Sequence, residues 1–115
     1  MKNSWLGSGL AGVALFGCVV VGSAYAADEM SQYREVERIQ YSAKSKTVYF
    51  TAKPAGWGAV SCPNATYAYA VESETPGLNT LISLVMQAKA TGSTVAFTGE
   101  CTGGDYYKVH YVFAK

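Results

Sequence analysis

Residues 1–26 of this chain read as an export signal, and that reading limits the folding unit to residues 27–115. Lys2 gives a positive start, Leu6 to Val21 form an apolar stretch without charge, and Ala24-Tyr25-Ala26 supplies the small-x-small pattern read by signal peptidase. Cleavage after Ala26 leaves a single small domain beginning Ala27-Asp28-Glu29. A transmembrane helix is the competing reading. Gly7, Gly9, Gly12, Gly17 and Gly22 interrupt the stretch, however, and it meets the cleavage pattern without basic anchors. Leu15-Phe16-Gly17-Cys18 loosely resembles a lipoprotein box, but Phe16 is too bulky for that site and the apolar run continues past Cys18. The signal is bacterial and Sec-type in character, so the mature domain is expected in the periplasm or outside the cell.

A domain of this size buries only about 60% of the surface its unfolded chain exposes, which leaves a marginal core. Cys62 and Cys101 are the two cysteines that remain after cleavage. In an oxidising compartment they are expected to form one structural disulfide, worth about 4 kcal/mol in the chain-entropy model. There is no Cys-x-x-Cys, and His110 is the single histidine, so a redox or metal pair has no support. Charge narrows the partners further. Lys and Arg number 9 against 8 Asp and Glu, and Lys2 leaves with the signal, so the mature charge is balanced. Without a basic stripe, nucleic acid is not an expected partner, nor is a membrane once the signal is removed.

Alternation of apolar and polar residues predicts strands at Tyr33–Tyr41, Thr47–Lys53, Thr66–Glu72, Ser93–Glu100 and Tyr106–Phe113. The short apolar segment Trp57–Cys62 is expected to pair with the second of these. Tyr67 and Tyr69 place an aromatic face on a half-buried strand. In the last strand, Tyr107, Val109, Tyr111 and Phe113 fall on one face and Tyr106, Lys108, His110 and Val112 on the other. One helix is predicted over about 76–91, with Thr75 as its N-cap, Pro76 at the first helical position and Gly92 at the left-handed stop. Leu78, Leu81, Ile82 and Val85 form its stripe. Leu84 and Met86 widen that face, which predicts a helix covered on more than one side and marks those two as a place for a partner. These elements imply an α+β, mainly β fold class. It is a small five- or six-stranded antiparallel OB-like barrel or sheet with one helix and one disulfide.

Ile39-Gln40-Tyr41, a polar turn and then Tyr49-Phe50 resemble the first hairpin of B subunits of the subtilase-cytotoxin and typhoid-toxin type. Leu81 to Val95 resembles the helix, Thr-Gly stop and following strand of the same subunits. The resemblance covers about half of the mature domain. It implies a ring of five OB-fold subunits, hence a homo-pentamer, that binds sialylated or other host glycans and carries a toxic A subunit. Ser31 is the nearest counterpart of the family's sugar-contacting serine. Direct alignment puts Gln32 in that slot, and Thr51 stands where the family has the first cysteine of a hairpin disulfide.

No catalytic constellation emerges. His110 alternates with Lys108 and Val112 without a nucleophile in its pattern, and Glu72, Glu74, Glu100 and Asp105 show no pairing for glycoside cleavage. No cofactor and no metal are implied. The remaining lead is the abundance of tyrosine and tryptophan, whose rigid amphipathic rings suit binding surfaces. Trp57, Tyr106 and Tyr107 lie near turns and are the expected binding residues together with Ser31, with Trp57 exposed and sensitive to ligand. The expected function is an exported, non-enzymatic binding module for a host glycan. The alternative is a stand-alone periplasmic protein that binds or inhibits another exported protein.

Overall fold

The computed structural model describes residues 28–115. The export signal, its cleavage point and Cys18 lie outside the described residues. Strand β1 spans Glu29–Met30, β2 Arg34–Ser42, β3 Thr47–Lys53, β4 Tyr67–Val71, β5 Thr94–Gly103 and β6 Tyr106–Ala114, with helix α1 at Leu78–Thr91. Alternation sets the faces of the central strands. Val48, Phe50 and Ala52 of β3 and Ala68 and Ala70 of β4 are buried, while Tyr49, Tyr67 and Tyr69 point outward and are half-buried.

β2, β3 and β4 form an antiparallel meander. β6 then lies parallel to β4, from Tyr67 opposite Tyr106 to Tyr69 opposite Lys108, and antiparallel to β5. β5 returns to β2 through Arg34 opposite Val95 and Glu35 opposite Thr94, which closes the five strands into an OB-like ring. The sheet is therefore mixed, where a purely antiparallel one was expected. A parallel pair needs a long crossover, and α1 with β5 supplies it between β4 and β6. β1 is a sixth strand that extends the line of β2 along β5, with Glu29 opposite Gly99 and Met30 opposite Thr98.

Several sequence expectations fail at local geometry, the first of them at the helix. The helix begins at Leu78 with Gly77 at its N-cap, and no side chain caps it. Thr75 instead belongs to a short turn in which its N–H donates to the Glu72 carbonyl and its own carbonyl accepts from Leu78. The stop at Gly92 is as expected, in the left-handed conformation at φ 74°, with Ser93 N–H reaching back to the Ala88 carbonyl. Leu78, Leu81, Val85 and Ala88 are the buried stripe, so α1 is covered on one side only; Leu84 is 40% and Met86 55% exposed.

The second failure is in β6. Thr98 pairs with Tyr111 but Gly99 pairs with Val109, leaving His110 as an extra residue in the ladder. That bulge reverses the faces beyond it. Tyr107 and Val109 point into the core, and Val112 then follows them inward, while Tyr111 and Phe113 turn outward. Gly99 makes the bulge feasible, because a Cβ there would lie 1.8 Å from the Lys108 carbonyl oxygen.

Trp57–Cys62 is not a strand. It is the first half of a loop between β3 and β4 that hydrogen-bonds to its own second half, from Trp57 N–H to the Ala65 carbonyl and from Gly58 N–H to that of Pro63. The loop inserts Trp57, Ala59 and Ala65 into the core. Cys62 and Cys101 form the expected disulfide, with Cα atoms 6.0 Å apart, and it ties this loop to β5. Replacing both cysteines by serine is expected to lower the unfolding free energy by about 2–4 kcal/mol. In a domain of this size that is a fall of at least about 10 °C in Tm by scanning calorimetry.

Candidate functional site

Three of the four expected binding residues are structural. Trp57 is fully buried. Its ring meets Phe97 edge-on at 4.8 Å and its Nε1–H donates to the Phe50 carbonyl at 3.0 Å. The expectation of an exposed, ligand-sensitive tryptophan is corrected: the loop folds back on itself and turns the ring inward. Tyr107 is also fully buried, and its single hydroxyl proton is shared between the carbonyls of Glu29 and Phe97. Burial first, and then the nearby Glu29 and Asp28 carboxylates, raise the Tyr107 phenol far above its ordinary pKa.

Ser31 is buried where β1 ends. Its N–H donates to the Phe97 carbonyl at 2.8 Å and its Oγ accepts the Phe97 N–H at 2.9 Å, so the side chain replaces a missing ladder acceptor. The same hydroxyl donates to the Gln32 carbonyl at 3.0 Å, which leaves it occupied within the fold. Gln32, its neighbour, has its N–H held by the Trp57 carbonyl.

Tyr106 alone lies at the surface, 44% exposed, and it has company. The parallel register of β4 and β6 sets it opposite Tyr67, and the two rings stack at 5.6 Å. Tyr69 meets Tyr106 edge-on at 6.0 Å, and Tyr49 meets Tyr67 at 5.7 Å and Tyr69 at 6.2 Å. Four tyrosines from three strands thus make one patch on the outside of the barrel. Alternation in β4 signals Tyr67 and Tyr69. That Tyr49 and Tyr106 join them depends on the long-range pairing of β3 and β6 with β4, which no local pattern reveals.

Two shallow grooves cross this face and share Tyr67 as a wall. One, of about 190 Å³, is bounded by Gln40, Tyr49, Tyr67 and Tyr106. The other, of about 180 Å³, runs between Glu37, Arg38, Thr51, Gly56, Thr66 and Tyr67. Thr51 is buried in the wall of the second, and its Oγ1 has no hydrogen-bond partner. The Arg38 guanidinium donates to Gln40 Oε1 at 3.2 Å and spans the strip between the grooves. The patch is framed at its far side by Tyr69 Oη with Thr102 Oγ1 at 3.0 Å and by the Lys108–Glu74 ion pair. That pair raises the Lys108 ammonium above its ordinary pKa. Rigid rings bordered by amide, guanidinium and hydroxyl groups can stack on the apolar face of a sugar while the rim bonds its hydroxyls.

Elsewhere the ionisable groups serve the fold. His110 Nδ1 lies 3.0 Å from the Asp28 carboxylate and its Nε2 3.5 Å from Glu100, so carboxylates engage both ring nitrogens. Glu29 accepts the Ser61 N–H at 2.8 Å, which pins β1 to the disulfide loop; the Ser61 hydroxyl first, and then that N–H, lower the Glu29 pKa. No cluster of three or more His, Cys, Asp or Glu side chains placed to hold a metal ion is present among the described residues.

Trp57 fluorescence is expected to be blue-shifted and resistant to iodide in the folded protein; efficient quenching would contradict its placement. Ser31→Ala leaves the buried Phe97 N–H without an acceptor and is expected to cost about 1–3 kcal/mol in urea unfolding. Comparison with protein-family models, curated proteins and solved structures finds no match to this chain.

Proposed function

We propose that this chain is an exported, non-enzymatic binding module that takes a glycan on the tyrosine face of its barrel. The observation that carries this reading is the cluster of Tyr49, Tyr67, Tyr69 and Tyr106, with two grooves along it and polar groups at its rim. In OB-type barrels the face of the second and third strands is the one that receives oligosaccharides and oligonucleotides, and β3 and β4 hold those positions in this chain. Balanced charge favours a sugar over a polyanion. The disulfide supports an oxidising compartment, and no helix among the described residues is long and apolar enough to cross a membrane. The kinship with toxin B subunits belongs to the same proposal, with one difference. Ser31 is engaged inside the fold, so the proposed ligand surface is the tyrosine patch.

A second reading, binding of another exported protein, is supported by the exposure of Leu84 and Met86, which flank the buried stripe of α1 on its two sides. The two readings separate in one experiment. A glycan array is probed with the wild type, with Tyr67→Ala, with Tyr106→Ala and with Leu84→Glu. Glycan binding on the patch predicts a loss of about tenfold or more in affinity for each tyrosine variant, equivalent to about 1.4 kcal/mol, and no change for Leu84→Glu. Absence of any retained glycan, or binding indifferent to both tyrosine changes, would overturn it.

A further inference from the structure

The groove walled by Glu37, Arg38, Thr51 and Tyr67 owes its polar lining to a break in the β2–β3 ladder. Val36 pairs with Ala52 and Arg38 with Thr51, so Glu37 is an extra residue. Strict alternation from the buried Val36 would turn Arg38 toward the core. The bulge instead keeps Glu37 and Arg38 together in the wall of the outer groove and returns Ile39 to pack against the core. Among the described residues neither charge is in an ion pair, and the Arg38 guanidinium donates to a neutral partner, Gln40. Thr51 stands opposite Arg38, turned outward by alternation with the buried Phe50 and Ala52. It is 7% exposed, and its Oγ1 has no hydrogen-bond partner. The Thr98 hydroxyl is buried without a partner as well. What sets Thr51 apart is the groove of about 180 Å³ against it, with a carboxylate and a guanidinium in the same wall. A buried hydroxyl left unpaired costs stability, and this groove has room for a group much larger than a water molecule.

Resting on the reading of the tyrosine face as a glycan surface, we propose that this groove is its specificity subsite, taking an uncharged sugar ring through two adjacent free hydroxyls. A carboxylate accepts two O–H donors at once and a guanidinium only donates, so the pair suits groups that both give and receive hydrogen bonds. Glu37 accepts from the two hydroxyls, Arg38 donates to their oxygens, and Thr51 Oγ1 gains its missing partner at the floor. Side-chain shifts are common at binding surfaces, and a shift of the exposed Arg38 opposite Thr51 opens that hydroxyl to the sugar. The two charges of the subsite cancel, so an acidic sugar gains no net attraction and meets the Glu37 carboxylate at close range. Tyr67 walls both grooves, which lets the next ring of the same ligand lie against Tyr67 and Tyr106. The proposed ligand is thus a neutral oligosaccharide of at least two rings.

The test uses the exported product of the full chain and three sets of probes. These are neutral oligosaccharides ending in a hexose with adjacent free hydroxyls, the same with those hydroxyls O-methylated, and the same with one of them capped by sialic acid. The free-hydroxyl forms are expected to bind about tenfold or more tightly than either modified set. Thr51→Val and Glu37→Ala each remove that preference, whereas Tyr106→Ala weakens all retained forms alike. Weakening by Tyr106→Ala with the preference untouched by Thr51→Val and Glu37→Ala would overturn the subsite and leave the tyrosine face standing. Equal binding of the methylated set, or preference for the sialylated one, would overturn the subsite too. No retained probe at all would overturn both readings. Thermal unfolding without sugar gives a readout independent of binding. Thr51→Val removes an unpaired buried hydroxyl, so its Tm is expected to match or exceed that of the wild type; a fall of about 4 °C or more would place the hydroxyl in a bond within the fold and overturn the subsite.

Discussion

Phe97 is where the parts of this barrel are joined. Its ring stacks on Phe50 of β3 at 5.5 Å and receives the edge contact of Trp57 from the disulfide loop. Its N–H and carbonyl bind Ser31, and the same carbonyl accepts from Tyr107 of β6. One residue of β5 therefore holds the N-terminal strand, the central meander, the loop and the last strand. In a domain with so little interior, this concentration replaces the redundancy that a larger core would provide. It also explains why a serine and a tyrosine that look like surface chemistry in the sequence are buried. They satisfy the backbone of the strand that everything else touches.

The outer face is a product of the core's requirements. β4 is lined inward by Ala68 and Ala70, which leave room for the large rings of β3, β5 and the loop. Its alternate positions then carry tyrosines outward, and the parallel neighbour β6 contributes Tyr106 beside them. The patch gains order from ring-to-ring packing, about 0.5–1.5 kcal/mol per well-oriented aromatic pair.

Much of the architecture was legible in the sequence. Period-two alternation located the five ring strands, the Leu78-Leu81-Val85 spacing and Gly92 located the helix, and the cysteine count of the expected mature domain located the disulfide. The features that were not legible depend on residues distant in the chain. Trp57 next to glycines resembles a loop residue offered to solvent, and only the pairing of that loop with itself turns the ring inward. The face of Tyr111 and Phe113 depends on a single extra residue, His110, tolerated because Gly99 lies opposite the bulge. The tyrosine patch was half visible: Tyr67 and Tyr69 are neighbours in one strand, while Tyr49 and Tyr106 reach them through pairings across the barrel.

The disulfide gives this chain two different folding problems in two redox environments. It does not clasp two strands of the ring to each other; it fastens the loop that supplies Trp57, Ala59 and Ala65 to the core. With the thiols reduced, that loop is held by its own hydrogen bonds and by ring packing, and insertion of the plug must compete with the full entropy of an untethered segment. A typical small domain has only about 5–15 kcal/mol in total, so a few kcal/mol decides whether the plug stays in. With the bond closed, the plug is held by a covalent tie in addition to its own hydrogen bonds and ring packing, so its seating is firmer in an oxidising compartment than in a reducing one.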